Sequence, residues 1–466
     1  MDLVTKFWNF CHTLRHEGVD YSDYIEELTY LIFLKIAEER NIEIPKGCAW
    51  NDLIIHDKED LLIKYNEVLD ELSTEKSILG SIFSQPMAKI RNSSSLKRLL
   101  TLIDEVEWSS YNEDVLGAMF EGLLEKAANE SKKGAGQYFT PRPLIDAIVS
   151  VMKPNPLEHK DFKISDVACG TAGFIISSYE WFKNNFELKS LSNDQKTKLY
   201  KNTYYGQELV TRPRRMAQMN LFLHGIAPNI KLGDTIYEPF ENNTYSCILT
   251  NPPFGNKGLN QIPDRKDFKI KTSNKQINFI QHVLNSLEVN GRTAVVLPDN
   301  VLSEDKALEL WKTVMNDYNV HTILKLPNGC FLPYANVKAV VIFIQKGSPT
   351  KKIWYYDGRS NVPSVTKKGR PLSNDHFKDF IKKYGDDPNG QSERKSLGIN
   401  GRFRNFDISE IKDRDYNLDL NWLTENELLE TNHFEIDDIT NEAITELESV
   451  IDTLKELSNY LEHSND

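Results

Sequence analysis

Between residues 162 and 345 short apolar runs alternate with segments of helical periodicity, and this alternation limits the possible folds more than any other feature of the chain. The runs fall at 162–167, 203–206, 245–250, 293–297, 321–326 and 339–345, and helices are expected at about 174–184, 211–224, 276–288 and 305–317. The last run holds Val340, Val341, Ile342, Phe343 and Ile344 without a polar interruption, as in a strand covered on both faces. Strand–helix–strand repetition predicts an α/β fold, doubly wound around a mostly parallel sheet. Ligands bind such sheets at the carboxyl ends of the strands, so the residues just beyond each run are the ones to inspect.

The flanks follow other rhythms. Leu3, Phe7, Phe10 and Leu14 recur at helical spacing, and 24–36 is apolar-rich without strand alternation, which predicts an all-helical domain over 1–125. The stretch Ser131-Lys-Lys-Gly-Ala-Gly136 interrupts this pattern, and the α/β domain is expected over 126–405. After Gln345 the sequence turns polar and acidic and offers no second clear α/β or β-rich unit. Residues 406–466 are expected to form a helical tail, where Ala443, Leu447, Val450, Leu454, Leu457 and Leu461 make a short heptad-type seam. Such a seam can pack on its own chain or on the helices of another.

Charge and cysteine usage narrow the setting. Of the net charge of −12, the tail carries the whole deficit: 406–466 has 18 Asp and Glu against three Lys and Arg, so the remainder is slightly basic. Basic runs stand beside candidate site loops: Lys132 and Lys133, then Arg212, Arg214 and Arg215, then Arg265, Lys266, Lys269, Lys271 and Lys275. Each run is either a solvated face or a set of phosphate contacts. No window approaches the roughly 18 consecutive apolar residues of a membrane span. Cys11, Cys48, Cys169, Cys247 and Cys330 are scattered without metal or disulfide spacing, and the start has no signal-peptide pattern, so a reducing cytoplasm is expected.

Four strand ends carry chemistry. Asp166-Val-Ala-Cys-Gly170-Thr-Ala-Gly173 leaves the first run, turns on two glycines and enters a helix; this is either a close backbone approach to a ligand or only a tight turn. It is neither G-x-G-x-x-G nor a Walker sequence. Glu208, at the end of the second run, can accept the hydroxyls of a ribose, and Asp234 in Leu232-Gly-Asp-Thr235 can accept from an adenine amino group. Either can also be a solvated loop carboxylate. Asn251-Pro252-Pro253-Phe254 follows the third run. The prolines hold Asn251 and Pro252 extended and remove N–H donors, so the stretch offers carbonyl-type acceptors to a planar –NH2, whether of a base or of a glutamine. Phe254 adds a π-face, worth about 1–3 kcal/mol per stacked base. A loop with an Asn turn and a buried Phe is the plainer alternative.

In order, Gln137-Tyr138-Phe139-Thr140-Pro141-Arg142, the Asp166–Gly173 turn, Gly206-Gln-Glu208, Gly233-Asp-Thr235 and Asn251–Phe254 resemble the motifs of adenine-N6 DNA methyltransferases. With its helical front and the late segments 291–300 and 331–340, the chain resembles in particular the modification subunit of type I restriction-modification systems, over most of 1–360. The resemblance implies the class I S-adenosylmethionine-dependent methyltransferase fold and S-adenosylmethionine as methyl donor. Gln137, Tyr138, Phe139, Thr140, Pro141 and Arg142 would line the methionine end of the cofactor. On the cofactor-binding turn of Asp166 and Gly170, Thr171, Ala172 and Gly173 would line its methionine and ribose, Glu208 would take the ribose hydroxyls, and Asp234 the cofactor adenine. Asn251 and the Pro252 carbonyl would accept from the target N6 amino group, with Pro253 completing the motif and Phe254 stacked on a flipped base. Val167 departs from the Pro usual after this Asp. Transfer would be direct, with no metal and no covalent intermediate, and Cys169 reads as a small buried residue. The implied partners are DNA, a specificity subunit, a restriction subunit, and two modification subunits per specificity subunit. A free-standing methyltransferase, one acting on a protein glutamine, and a non-catalytic assembly module remain alternatives at this point.

Overall fold

The computed structural model describes residues 3–15, 18–130, 139–238, 243–254, 261–332, 337–366 and 369–423. Lys132, Lys133, Gln137, Tyr138 and the seam at 443–461 lie outside the described residues.

The front of the chain folds into helices α1 (Leu3–Arg15), α2 (Tyr21–Glu39), α3 (Trp50–Ile54), α4 (Lys58–Ser73), α5 (Ile78–Ile82), α6 (Ser93–Asp104) and α7 (Glu113–Glu130). Polar caps start them where the chain must turn: Asp20 accepts from the Asp23 N–H at 2.8 Å to open α2, and Asn92 accepts from Ser94 to open α6. α2 is apolar around most of its circumference and therefore becomes the central helix, buried among Phe7, Trp50, Leu99 and Trp108.

Among the described residues nine strands form one sheet: β1 (Ile164–Asp166), β2 (Tyr204–Glu208), β3 (Ile230–Leu232), β4 (Tyr245–Thr250), β5 (Leu287–Pro298), β6 (Tyr318–Lys325), β7 (Ala339–Lys346), β8 (Lys352–Asp357) and β9 (Phe403–Asp407). Their order is β3-β2-β1-β4-β5-β7-β6-β8-β9. The ladders from β3 to β5 are parallel, and β7 runs antiparallel between β5 and β6. This is the expected doubly wound sheet. Side chains alternate across it: Ala294 and Val296 of β5 join one core, Val295 and Leu297 the other. The first core is covered by α8 (Arg142–Met152), α9 (Gly173–Asn185) and α14 (Asp375–Tyr384), with α10 (Asn193–Lys201) leading into β2. The second is covered by α12 (Lys275–Ser286), α13 (Asp305–Val314) and α15 (Ile408–Lys412). Helix α11 (Thr211–Leu223) serves two layers, giving Ala217 and Leu221 to the sheet and Met216, Met219 and Leu223 to the helical front.

The structure departs from expectation in the tail and in two of the basic runs. The sheet continues past 405, since β9 ends at Asp407 and Phe406, Ile411, Leu418 and Leu420 pack into the second core. Arg265, 6% exposed, pairs with Asp267 at 2.8 Å. After Gln345 the chain extends the same sheet: β8 adds in parallel to β6 and β9 antiparallel to β8, with α14 packed behind them. Its strand Lys352-Ile-Trp-Tyr-Tyr-Asp357 is short, aromatic and set among polar loops, so its signal is weak. In the run Arg212, Arg214, Arg215, the last is buried and all three are tied to partners within the chain. Arg215, 2% exposed, pairs with Glu26 and donates to the carbonyls of Ile82 and Ser84; Arg212 pairs with Asp23 and with Glu26 at 2.9 Å. Arg214 donates to the Ile230 carbonyl. Arg212 and Arg215 thereby fasten α11 to α2, and Arg214 ties it to β3. No helix among the described residues is long and apolar enough to cross a membrane.

Candidate active site at the carboxyl ends of β1 and β4

The strand order reverses between β1 and β4, so a crevice opens at their carboxyl ends. Asp166 closes β1 opposite Gly206, and Glu208 closes β2 opposite Leu232. The turn after β1 stays tied to β2, with the Cys169 N–H donating to the Gln207 carbonyl at 3.0 Å. Gly170 then takes φ +52°, and Ala172, at φ +70°, heads α9. A Cβ on Gly170 would meet nothing within 4 Å, so the turn faces open space. At Gly206 a Cβ would lie 3.1 Å from Cys169 Sγ, and its absence makes room for the turn.

The carboxylates hold this backbone. Glu208 accepts from the Gly170 N–H at 3.0 Å and the Val210 N–H at 2.9 Å, one donor to each oxygen, which leaves a lone pair on each for a ligand. Asp166 accepts from the Ala168 N–H at 3.1 Å. Burial raises the Asp166 carboxyl to about 7, and the nearby Glu208 charge adds to the effect; burial raises Glu208 as well. The Gly233 N–H donates to the Glu208 carbonyl, which places Asp234 beside it. One oxygen of Asp234 accepts from Ile236 at 2.8 Å and Tyr237 at 3.1 Å, an Asx turn. Leu209, 61% exposed, offers an apolar surface next to Glu208.

At the end of β4 the Asn251 Nδ2 donates to Thr140 Oγ1 at 2.9 Å, while its Oδ1 is buried and without a hydrogen-bond partner. A buried amide oxygen left unpaired costs about 1–3 kcal/mol, so it marks a place where a donor belongs. Pro252 is buried and Pro253 exposed. Phe254 is half-buried and meets Phe331 edge to face, with ring centroids 5.2 Å apart.

The segment that brings Thr140 to Asn251 is pinned on both sides. Phe139 packs on the helical front. The Pro141 carbonyl accepts from Leu144 and Ile145 to start α8. The Arg142 guanidinium is committed to Glu121 at 3.0 Å, Asp146 at 3.0 Å and Glu180. Glu121, Glu180 and His224 bring one potential metal-ligand atom each within 4.8 Å of one another, but the Arg142 cation already serves the two carboxylates. Cys169 is buried, and burial lifts its thiol well above the usual range, which favours the protonated form.

Comparison with known proteins follows this geometry. The family model described as N-6 DNA methylase matches residues 111–431. The chain belongs to the N-6 DNA methylase family. Within it, the StySJI type I restriction enzyme methylase subunit of Salmonella typhimurium is 38% identical over 444 residues, covering 89% of this chain and 82% of its own. The EcoKI methylase subunit of Escherichia coli K12 is 39% identical over 422 residues, covering 84% and 78%. Among solved structures, the EcoKI M protein superimposes with a TM-score of 0.56 at 30% identity over 99% of this chain and 96% of its own. The type I methyltransferase subunit of Streptococcus thermophilus shares the fold at a TM-score of 0.69 and 18% identity, over 89% and 97%.

Three residues of this family member's crevice carry no role from sequence reasoning. Asn220 of α11 donates to the Thr171 carbonyl at 3.1 Å and so holds the turn after β1 from behind. Phe331 reaches Phe254, and Leu209 stands exposed beside Glu208. Asn220 sits between Met219 and Leu221 in a helix, where nothing local distinguishes it from an ordinary polar residue.

Proposed function

We propose that the chain is the modification subunit of a type I restriction-modification system: an adenine-N6 DNA methyltransferase that uses S-adenosylmethionine and takes its sequence choice from a separate specificity subunit. The buried, unpaired Oδ1 of Asn251 carries this reading, because it is an acceptor at the switch point of the sheet, beside a turn whose Gly170 faces open space. Family membership and the type I methylase subunits among the relatives support it.

The residues present fit the cofactor. Glu208 keeps a lone pair on each oxygen for the ribose hydroxyls, Asp234 stands beside it for the adenine, and Thr171, Ala172 and Gly173 present backbone along the open turn. Asp166 organises that turn through Ala168. In this reading Gln137, Tyr138, Phe139, Thr140, Pro141 and Arg142 line the methionine end, and Arg142 is itself held by three carboxylates. Bound S-adenosylmethionine supplies an electrophilic methyl group. The chain's part is to make N6 reactive: Asn251 Oδ1 and the Pro252 carbonyl accept from its N–H bonds, which concentrates lone-pair density on a nitrogen otherwise conjugated with the ring. Phe254 and Phe331 give the extruded base an aromatic wall.

We divide the chain into a helical domain over 1–125, a methyltransferase domain that runs from 126 past 405 to take in β9 and α15, and an assembly tail in the residues that follow. DNA, one specificity subunit shared by two such chains, and a restriction subunit are its partners in the cytoplasm. Transfer of labelled methyl groups to DNA tests the reading, first with the chain alone and then with its specificity subunit. Activity appearing only in the second case is the expected result; no transfer in either case removes the proposal.

A further inference from the structure

We infer that Thr140 is a positioning residue for methyl transfer: its hydroxyl tethers the Nδ2 end of the Asn251 amide and so holds the Oδ1 end in place for the target amino group. The inference rests on the function proposed above and gives Thr140 a task in addition to the cofactor contact proposed there.

The two ends of an asparagine side chain are nearly equal in size, and the amide turns about its last bond with little intrinsic preference. Turned the wrong way, Asn251 would present an –NH2 to the –NH2 of its substrate, donor against donor. In the structure the Nδ2 donates to Thr140 Oγ1 at 2.9 Å, and this leaves Oδ1 as the end that is buried and unpaired. The following residues supply little competition, since Pro252 and Pro253 have no N–H.

Thr140 is suited to the task because it is held from both sides. Phe139 is set into the helical front, Pro141 has a fixed φ and receives the first N–H groups of α8, and Arg142 is tied to Glu121, Asp146 and Glu180. The hydroxyl therefore comes from a rigid strap 111 residues before the amide it orients. The strap belongs to neither β4 nor its loop, so Asn251 is tethered from a separate part of the chain.

The test uses Thr140→Val, which keeps the side-chain shape and removes the hydroxyl, and Thr140→Ser, which restores it. With the specificity subunit present and both DNA and S-adenosylmethionine saturating, kcat of Thr140→Val is expected to fall about tenfold, the scale of one buried hydrogen bond. Thr140→Ser is expected to recover most of kcat. An unchanged kcat, or a loss confined to the KM for the cofactor, overturns the inference. A second measurement needs no turnover. In chain labelled with 15N-asparagine, with the Asn251 signal identified by its absence in Asn251→Ser, the side-chain NH2 is expected to exchange slowly in wild type and faster in Thr140→Val. Equal exchange overturns the inference even if wild type proves inactive, an outcome that would count separately against the proposed function.

Discussion

Asn251 and Phe254 do different work three residues apart, and their substitutions should separate accordingly. Asn251→Ala removes the unpaired acceptor and leaves the turn after β1 untouched, so methyl transfer should vanish while S-adenosylmethionine binding, followed by calorimetry, is largely kept. Turnover near wild type in that variant would end the role given to Asn251. Phe254→Ala should weaken productive DNA binding by about 1–3 kcal/mol, and Trp or Tyr at the same position should restore part of it. Steady-state kinetics decide the matter: unchanged constants for Phe254→Ala exclude stacking. At this scale the strand-end residues were visible in the sequence because each sits in a short local pattern, as in Asn-Pro-Pro-Phe or Gly-Asp-Thr. The contacts from Thr140 to Asn251 and from Asn220 to Thr171 were not, since each joins residues far apart in the chain and needs the fold to bring them together.

At the scale of elements, burial of polar groups makes stability depend on pH. Glu27 of α2 is fully buried, where it accepts from the Tyr65 hydroxyl and from the Lys89 and Ile90 N–H groups. Burial raises its carboxyl from 4.5 to about 7. The folded chain thus keeps a proton that the unfolded chain has already lost in that interval. Its contribution is complete below 4.5 and is lost as pH rises through about 7, at a slope near 1.4 kcal/mol per pH unit for a single group. Asp166 acts in the same direction. Glu27→Gln keeps the shape and both kinds of hydrogen bond without the titration, so its thermal midpoint should fall less between pH 5 and 8 than that of wild type. Parallel curves would show that Glu27 does not titrate there. Elements differ in how plainly the sequence announces them. β4 and β7 are long apolar runs and were clear, whereas β3 has three residues, two of them exposed, and β9 owes its place to pairing with β8.

For the whole molecule, the helical front and the sheet are joined through α11, whose Arg212 and Arg215 reach Asp23 and Glu26 of α2. Assembly belongs to the other end in the proposed reading. Truncation after Asn432 should abolish co-elution with the specificity subunit while cofactor binding persists. A fully active complex without those residues would remove the tail from assembly. The doubly wound architecture was legible from the alternation of runs and helices, but the continuation of the sheet through β8 and β9 was not, because aromatic strands among polar loops lack a strong period. One feature of that sheet bears on how the chain is made. β7 lies between β5 and β6 yet follows both in sequence, so a nascent chain that has just completed Lys325 holds two apolar strands with facing open edges and nothing to pair them. The central sheet can close only after Lys346 emerges, and the synthesis of some twenty residues is therefore the interval in which this chain most needs a chaperone or an undisturbed ribosome.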